Sequence, residues 1–551
     1  FKQKTAYEIY QCDWSSDVCS SDLAALIATG QFAFPMSRAF VVRPASSCTR
    51  VAYPAMPAPV ACLTKVNLFL PGAGRMPAME LDPHTLSAAP FQSELVIDPA
   101  LVRKYGGAGP RYTSYPTADR FVEAYDAEAY AHGLRNRRVG GLGKPFSLYV
   151  HLPFCESICY YCACNKVVTR DRGKAATYLD YLAREIALVS KEMGSDRSVR
   201  QMHWGGGTPT FLDDSQIESL VGTLRQAFDL DPWGEYAIEI DPRRVSPERI
   251  AMLGALGFNR VSFGVQDFEP EVQRAVHRIQ SYDQTQRLVT AARDHGFRSV
   301  NVDLIYGLPK QTLEGFQRTL HRVLACDPDR IALYAYAHLP TVFKPQRRIL
   351  EADLPSPEVK LSILATAIRF LEKAGYVYIG MDHFAKPGDE LSLAQREGRL
   401  TRNFQGYSAA GDMDIIGLGV SAIGKLARAY SQNQKDLPDY YTRLDAGQLP
   451  VMRGIELTAD DLVRRAVIES LACNFRVSKE SISIAYLLDF DRYFATECRE
   501  LAAMQKEGLV TVDDEWVAVT PRGRLIVRAI CKVFDRHLRQ GHSQATYSKV
   551  V

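Results

Sequence analysis

Cys155-Glu-Ser-Ile-Cys159-Tyr-Tyr-Cys162-Ala-Cys164 holds four of the chain's twelve cysteines within ten residues, directly after the apolar run 146–151. Iron–sulfur clusters are held by cysteine thiolates, and three thiolates spaced C-x3-C-x2-C can take three irons of a cubane while leaving the fourth open for chemistry. A zinc site built from four cysteines is the competing use. The gaps of three and one residues suit zinc poorly, and no second cysteine pair lies nearby.

Outward from this loop the pattern is periodic. Short β-branched or aromatic runs at 146–151, 201–204, 236–240, 260–265, 300–306 and 331–336 alternate with amphipathic helical stretches. In 178–192, Leu179, Leu182, Ile186 and Val189 share one face, and a later stretch carries Leu361, Leu364, Ile368 and Leu371. Strands alternating with helices predict βα units and a parallel sheet, and six units predict an α/β fold with a partial or full (β/α)6 barrel. Functional residues of such a barrel gather where its strands end. The cysteines follow the first strand and Gly205-Gly-Gly-Thr208 the second, while Glu239 and Asp241 end the third and Gln266 the fourth. Asp303 and Tyr306 lie in the fifth, and Tyr336 with Ala337 ends the sixth. Glycine at 205–207 removes side chains where the chain must approach a ligand. Alone, Glu239 reads equally as a rim carboxylate or a ligand-binding group; beside the cysteines, ligand binding is favoured.

The bulk numbers bound the rest. With 551 residues and 46% hydrophobic composition, the chain is expected to fold into two to four globular domains. A net charge of +3 gives no electrostatic reason for a nucleic-acid or membrane partner. The remaining cysteines are scattered, which suits a reducing, cytoplasmic setting.

Residues 1–78 differ in composition, with no acidic residue over 23–75. Such composition also suits an organelle transit peptide. The segment 1–78 is expected to be a non-native, artefactual leader, dispensable for folding, with the native start at Met79 or Met76. An N-terminal arm is expected over 79–145, the barrel over 146–385 and an irregular active-site connection over 386–430. A mostly helical, winged-helix-like domain is expected over 431–551, with a hairpin at 509–520 followed by a helix from Pro521. Mixed charges there argue against DNA binding.

C-x3-C-x2-C after a strand, with aromatic Tyr161 before the last cysteine, resembles the radical S-adenosylmethionine superfamily. From about residue 100 onward the chain resembles more narrowly the oxygen-independent coproporphyrinogen III oxidase family of bacterial haem biosynthesis. The stretches that carry this are Gly109-Pro-Arg-Tyr-Thr-Ser-Tyr-Pro-Thr117, Tyr149-Val-His-Leu-Pro-Phe-Cys155, His203-Trp-Gly-Gly-Gly-Thr-Pro-Thr210, Asp303-Leu-Ile-Tyr-Gly-Leu-Pro-Lys310, Gly380-Met-Asp-His-Phe-Ala385 and Asn403-Phe-Gln-Gly-Tyr407. The resemblance implies a 4Fe–4S cluster on Cys155, Cys159 and Cys162 and two S-adenosylmethionine molecules. The first would meet Tyr149, Gly206, Glu239 and Ile423. The second would meet Tyr161, Gly207, Thr208, Gln266, Arg278, Asp303 and Ala337. Glu239, Phe404 and Gln405 would stand at the catalytic centre.

The implied reaction is reductive cleavage of the sulfonium, hydrogen abstraction from a propionate β-carbon and loss of carbon dioxide. Two rounds convert coproporphyrinogen III to protoporphyrinogen IX. An unidentified electron donor and terminal acceptor are implied, and a monomer is expected. Arg111, Lys166 and Arg402 are candidates to pair with substrate carboxylates, although a solvated charge is the favoured reading of each. The arm from Gly109 and the C-terminal domain are candidates for a lid. The rival reading is a radical-SAM-like haem chaperone. As the resemblance has it, that relative lacks both the Tyr-Thr-Ser-Tyr-Pro arm and the cysteine matching Cys164, whose own role in the oxidase is not implied.

Overall fold

The computed structural model describes residues 95–137 and 143–539, so the expected leader at 1–78 lies outside the described residues. Six strands form the frame: β1 (Phe146–Leu152), β2 (Ser198–Gly206), β3 (Asp229–Ile240), β4 (Arg260–Gln266), β5 (Ser299–Tyr306) and β6 (Arg330–Ala335). They pair in chain order and every pairing is parallel. Helices join them: α1 (Gly173–Met193), α2 (Asp214–Ala227), α3 (Pro247–Ala255), α4 (Tyr282–Asp294) and α5 (Leu313–Ala325), with α6 (Pro357–Lys373) following β6. Parallel neighbours require such crossovers, and covering helices explain why the strands read as nearly continuous apolar runs.

Strand β3 starts seven residues before the expected 236. Its first part, Asp229-Leu-Asp-Pro232-Trp-Gly, reads as a turn in sequence. Ser198 and Val199 nonetheless pair with Asp229 and Leu230, and the register shifts before Gln201 meets Glu235. That irregularity absorbs Pro232, which cannot donate to a regular ladder.

The sheet continues on both sides of the six strands. Ile415–Leu418 pairs parallel with the outer edge of β1, and Ile423–Leu426, Ala429–Asn433 and Val451–Glu456 add antiparallel strands beyond it. On the other edge His383–Ala385 pairs antiparallel with β6. Neither edge is free to meet the other, so the barrel is partial. Where an irregular connection is expected over 386–430, the structure has the helix Glu390–Arg396, the hairpin Thr401–Asn403 with Gly406–Ser408, and sheet strands. The sheet also reaches past 431, to Glu456.

Beyond it lie the helix Ala459–Asn474 and a three-stranded sheet of Arg476–Ser478, Trp516–Val519 and Val510–Val512, in that order. The expected hairpin is present. The helix expected from Pro521 starts later, as the 3-10 turn Arg524–Ile526 leading into Val527–Val533, because Thr520 first accepts the N–H groups of Gly523 and Arg524 in a turn.

The arm is ordered by this C-terminal region. Arg528 Nε donates to the Pro110 carbonyl at 2.9 Å, the Tyr112 hydroxyl donates to Asp535 Oδ2 at 2.9 Å, and the Tyr115 hydroxyl accepts from the Arg536 N–H at 3.2 Å. Arg528 is buried, which together with nearby Arg111 pulls its pKa down to about 9. Among the described residues no helix is long and apolar enough to cross a membrane.

Candidate functional site

After β1 the chain makes a second short parallel bridge, Phe154–Cys155 with Val167–Val168, and the intervening loop carries Cys159, Cys162 and Cys164. Cys155 Sγ lies 3.5 Å from Thr208 Oγ1. Cys159 Sγ accepts from Arg278 Nη1 at 3.4 Å and Arg243 Nη2 at 3.6 Å. Two guanidinium groups thus converge on one sulfur, an electropositive setting for a group that binds iron as an anion. Both arginines are anchored by Asp241, whose Oδ2 lies 2.6 Å from Arg243 and 3.0 Å from Arg278. Burial works against that carboxylate, but the two cations outweigh it and hold its pKa at about 2. Among the described residues no three His, Cys, Asp or Glu side chains converge on a single-ion site. A cubane takes each thiolate on a separate iron and does not require such convergence.

The glycines at the end of β2 form a cradle that a side chain would fill. A Cβ on Gly205 would meet Glu239 Oε1 at 2.8 Å, and one on Gly206 would meet His151 Cε1 at 2.6 Å. On Gly207 it would lie 2.6 Å from the Pro153 carbonyl. Gly206 also has φ 112, a conformation that favours glycine. Glu239 projects from the end of β3 into this cradle. Its Oε1 accepts from His203 Nε2 at 3.1 Å and its Oε2 from the Gly206 N–H at 3.3 Å. Burial raises the pKa of Glu239, yet these donors outweigh burial and leave it below the usual carboxylate value.

Tyr149 is held by its neighbour on β1. His151 is buried, and burial draws its pKa down to about 4, so the ring is neutral. It lies 3.0 Å through Nε2 from the Asn165 carbonyl, which can only accept, so the proton sits on Nε2 and Nδ1 accepts from the Tyr149 hydroxyl at 2.9 Å. On β5, Asp303 accepts from Ser262 Oγ and from Asn301 Nδ2, both at 2.8 Å. Burial still raises its pKa to about 6. Gln266 ends β4 with φ 68 at a register shift between β4 and β5. Positive φ in a non-glycine residue marks a strained turn.

Two adjoining cavities collect these residues. The larger, about 780 Å³, is lined by the three expected cluster ligands, Tyr161, Gly206, Gly207 and Thr208, and further round by Glu239, Gln266, Arg278, Asp303, Ala337 and Gln405. The smaller, about 240 Å³, holds Tyr149, Phe404 and Ile423 and shares Gly206, Glu239, Asp303 and Gln405 with the first. Phe404 meets Tyr430 edge-on with ring centroids 6.1 Å apart. Cys164 lines both cavities.

The three candidate basic residues line the larger cavity but already have partners. Arg111 pairs with Asp382 at 2.6 Å, Arg402 donates to the Arg111 carbonyl at 2.6 Å, and Lys166 donates to the Cys162 carbonyl at 3.1 Å. His203 and His151 have no role in the sequence reading. Their partners, Glu239 and Asn165, are distant in sequence or bind through backbone, and a lone histidine in a strand gives no local signal of either.

The partial parallel barrel, with cysteines, glycines and carboxylates at one mouth, defines a radical S-adenosylmethionine enzyme. Residues 149–323 match the family model for the radical SAM superfamily, and residues 457–526 match that of the HemN C-terminal domain. The class brings with it a 4Fe–4S cluster and S-adenosylmethionine, which the thiolate environment and glycine cradle fit. The chain is 50% identical over 456 residues to the oxygen-independent coproporphyrinogen III oxidase of Pseudomonas aeruginosa, covering 82% of this chain and 98% of the relative. With the Escherichia coli K12 oxidase of the same name it shares 50% identity over 454 residues, with the same coverage of each chain. The solved coproporphyrinogen III oxidase (HemN) from Escherichia coli, described as a radical SAM enzyme, superposes with TM-score 0.76 at 48% identity over 81% of this chain and 100% of that one. The chain belongs to the family of oxygen-independent coproporphyrinogen III oxidases.

Proposed function

We propose that the chain converts coproporphyrinogen III to protoporphyrinogen IX by oxidative decarboxylation of two propionates, in the cytoplasm, as a monomer that binds two S-adenosylmethionine molecules. The observation that carries this reading is the convergence of Cys155, Cys159 and Cys162, the Gly205–Gly207 cradle and Glu239 on one cavity mouth. When bound, the cluster and S-adenosylmethionine supply a radical able to remove hydrogen from an unactivated C–H bond.

The chain's own residues bind, orient and exclude. The three thiols hold the cluster, with Arg243 and Arg278 supporting Cys159. Glu239, fixed by His203 and the Gly206 N–H, offers an anionic acceptor beside the cradle for a cationic amino group. Asp303, held by Ser262 and Asn301, offers a second acceptor across the mouth for hydroxyl groups of the second molecule. Phe404 and Ile423 supply an apolar wall that limits water at the reacting centre. Arg111 and Thr113 of the arm close over the larger cavity, which makes the arm part of the lid. Electrons enter from a donor and leave to an acceptor that the chain itself does not supply.

The test is an anaerobic assay of reconstituted protein with S-adenosylmethionine, a reductant and coproporphyrinogen III. Protoporphyrinogen IX is the expected product, and Cys159→Ala is expected to lose both cluster and activity. Tight haem binding without decarboxylation would sink the proposal and favour the chaperone.

A further inference from the structure

The substrate proposed above is a macrocycle with four carboxylates, and the inference here rests on that reading. Seven Arg and Lys residues line the larger cavity. Most are committed. Arg243 and Arg278 bind Asp241, Arg111 binds Asp382, and Arg402 donates to arm carbonyls. Lys166 bonds the carbonyls of Cys162 and Cys164. Arg244 lies 3.4 Å from Glu156, a carboxylate it shares with Arg172.

Arg170 is different. It lines the same cavity and is exposed, and among the described residues it makes no hydrogen bond or ion pair. Its backbone position is fixed, because the Thr169 N–H donates to the Cys155 carbonyl at 2.9 Å and Val168 pairs with Cys155. The cavity is also graded in charge. Glu239 and Asp303 lie at the end shared with the smaller cavity and repel carboxylates, whereas the rest of the lining sets seven cations against two carboxylates, Glu156, paired with Arg244, and Asp241, paired with Arg243 and Arg278. A polyanionic ring entering this field orients with its spare carboxylates on the cationic side.

We propose that Arg170 is the substrate-carboxylate anchor, its guanidinium taking a propionate that is not being decarboxylated while Arg244 flanks it. Arginine suits this role because its planar fork matches a carboxylate with two parallel bonds. The site selects for the carboxylate itself, so it reads porphyrin side-chain charge and not merely ring shape.

The test uses the full reconstituted chain under anaerobic conditions and two readouts. One is steady-state turnover of coproporphyrinogen III. The other is fluorescence titration with coproporphyrin III, the oxidised tetracarboxylate, and with its tetramethyl ester. Arg170→Gln is expected to raise KM about tenfold with kcat held, as loss of uniform binding by one charge-assisted contact predicts. Coproporphyrin III should weaken by a similar factor and the ester not at all. Arg170→Lys should recover part of the loss, and Lys174→Gln, on the exposed start of α1, should change neither constant. Unchanged KM and coproporphyrin III affinity in Arg170→Gln would overturn the proposal. So would an equal loss for the ester, or a fall in kcat with affinity intact. If wild-type protein makes no vinyl product while Arg170→Gln still weakens coproporphyrin III, the reaction assigned above fails and the anchor stands.

Discussion

Glu239 depends on the absence of a methyl group. A Cβ on Gly205 would come within 2.8 Å of its Oε1, so Gly205→Ala must push the carboxylate off its His203 and Gly206 donors. S-adenosylmethionine affinity is expected to fall about tenfold, the cost of one charge-assisted bond. Iron and sulfide content should stay at the wild-type level. Anaerobic equilibrium dialysis beside metal analysis checks this, and retained affinity would show that Glu239 is not a ligand. At this scale the sequence is legible where spacing is unusual, as in the C-x3-C-x2-C run and the triple glycine. Arg243 and Arg278 are less legible as thiolate supports, because their bonds to Cys159 span 84 and 119 residues. Arg111 and Arg402 look available in sequence only because their partners, Asp382 and the arm carbonyls, are equally remote.

Helix α1 carries a buried carboxylate on a face that the apolar period alone marks as core. Glu185 accepts from the Gly419 N–H at 2.7 Å, from Asn433 Nδ2 at 2.6 Å and from the Tyr440 hydroxyl at 2.6 Å. Burial outweighs these three donors and raises its pKa from 4.5 to about 7. Between those values the folded protein keeps a proton that the unfolded chain has released. The contribution is therefore fully present below pH 4.5 and lost as pH rises to about 7, a swing of about 3 kcal/mol. Glu185→Gln cannot titrate, so its unfolding free energy should lack that segment of the pH profile in urea titrations. A variant curve parallel to wild type would reject the assignment. Glu185 also explains a weakness of pattern reading. It ties α1 to Gly419, just past the strand Ile415–Leu418, and to Asn433 of the strand Ala429–Asn433, and the strands that extend the sheet are Gly-rich and polar. A Cβ on Gly417 would meet the Ile423 carbonyl at 2.6 Å, so glycine there serves close strand packing where the sequence suggests a loop. The six central strands, buried under helices, keep the apolar signal that these lose.

Across the whole molecule, the C-terminal region holds the arm in place. Arg528 donates to the carbonyls of Pro110 and Gly109, Lys532 reaches the Ala108 carbonyl at 3.2 Å, and Arg120 donates to the His537 carbonyl at 3.0 Å. Arg528→Ala leaves buried carbonyls unpaired and is expected to cost about 2–4 kcal/mol in urea unfolding. It should also speed tryptic cleavage at Arg103 to Arg111. Equal stability and equal cleavage would mean that the arm is held elsewhere. Bulk charge gives no hint of these contacts, since a net +3 over 551 residues averages away local pairings. The short bridge of Phe154–Cys155 with Val167–Val168 has a different consequence. It registers both ends of the cysteine loop through main-chain bonds alone. Apoprotein and reconstituted protein are therefore expected to share one far-UV circular dichroism spectrum, and a gain of ordered structure on reconstitution would argue otherwise. In biogenesis, metal delivery then comes last, and a cell starved of iron would stockpile finished but inert enzyme, ready for rescue when supply returns.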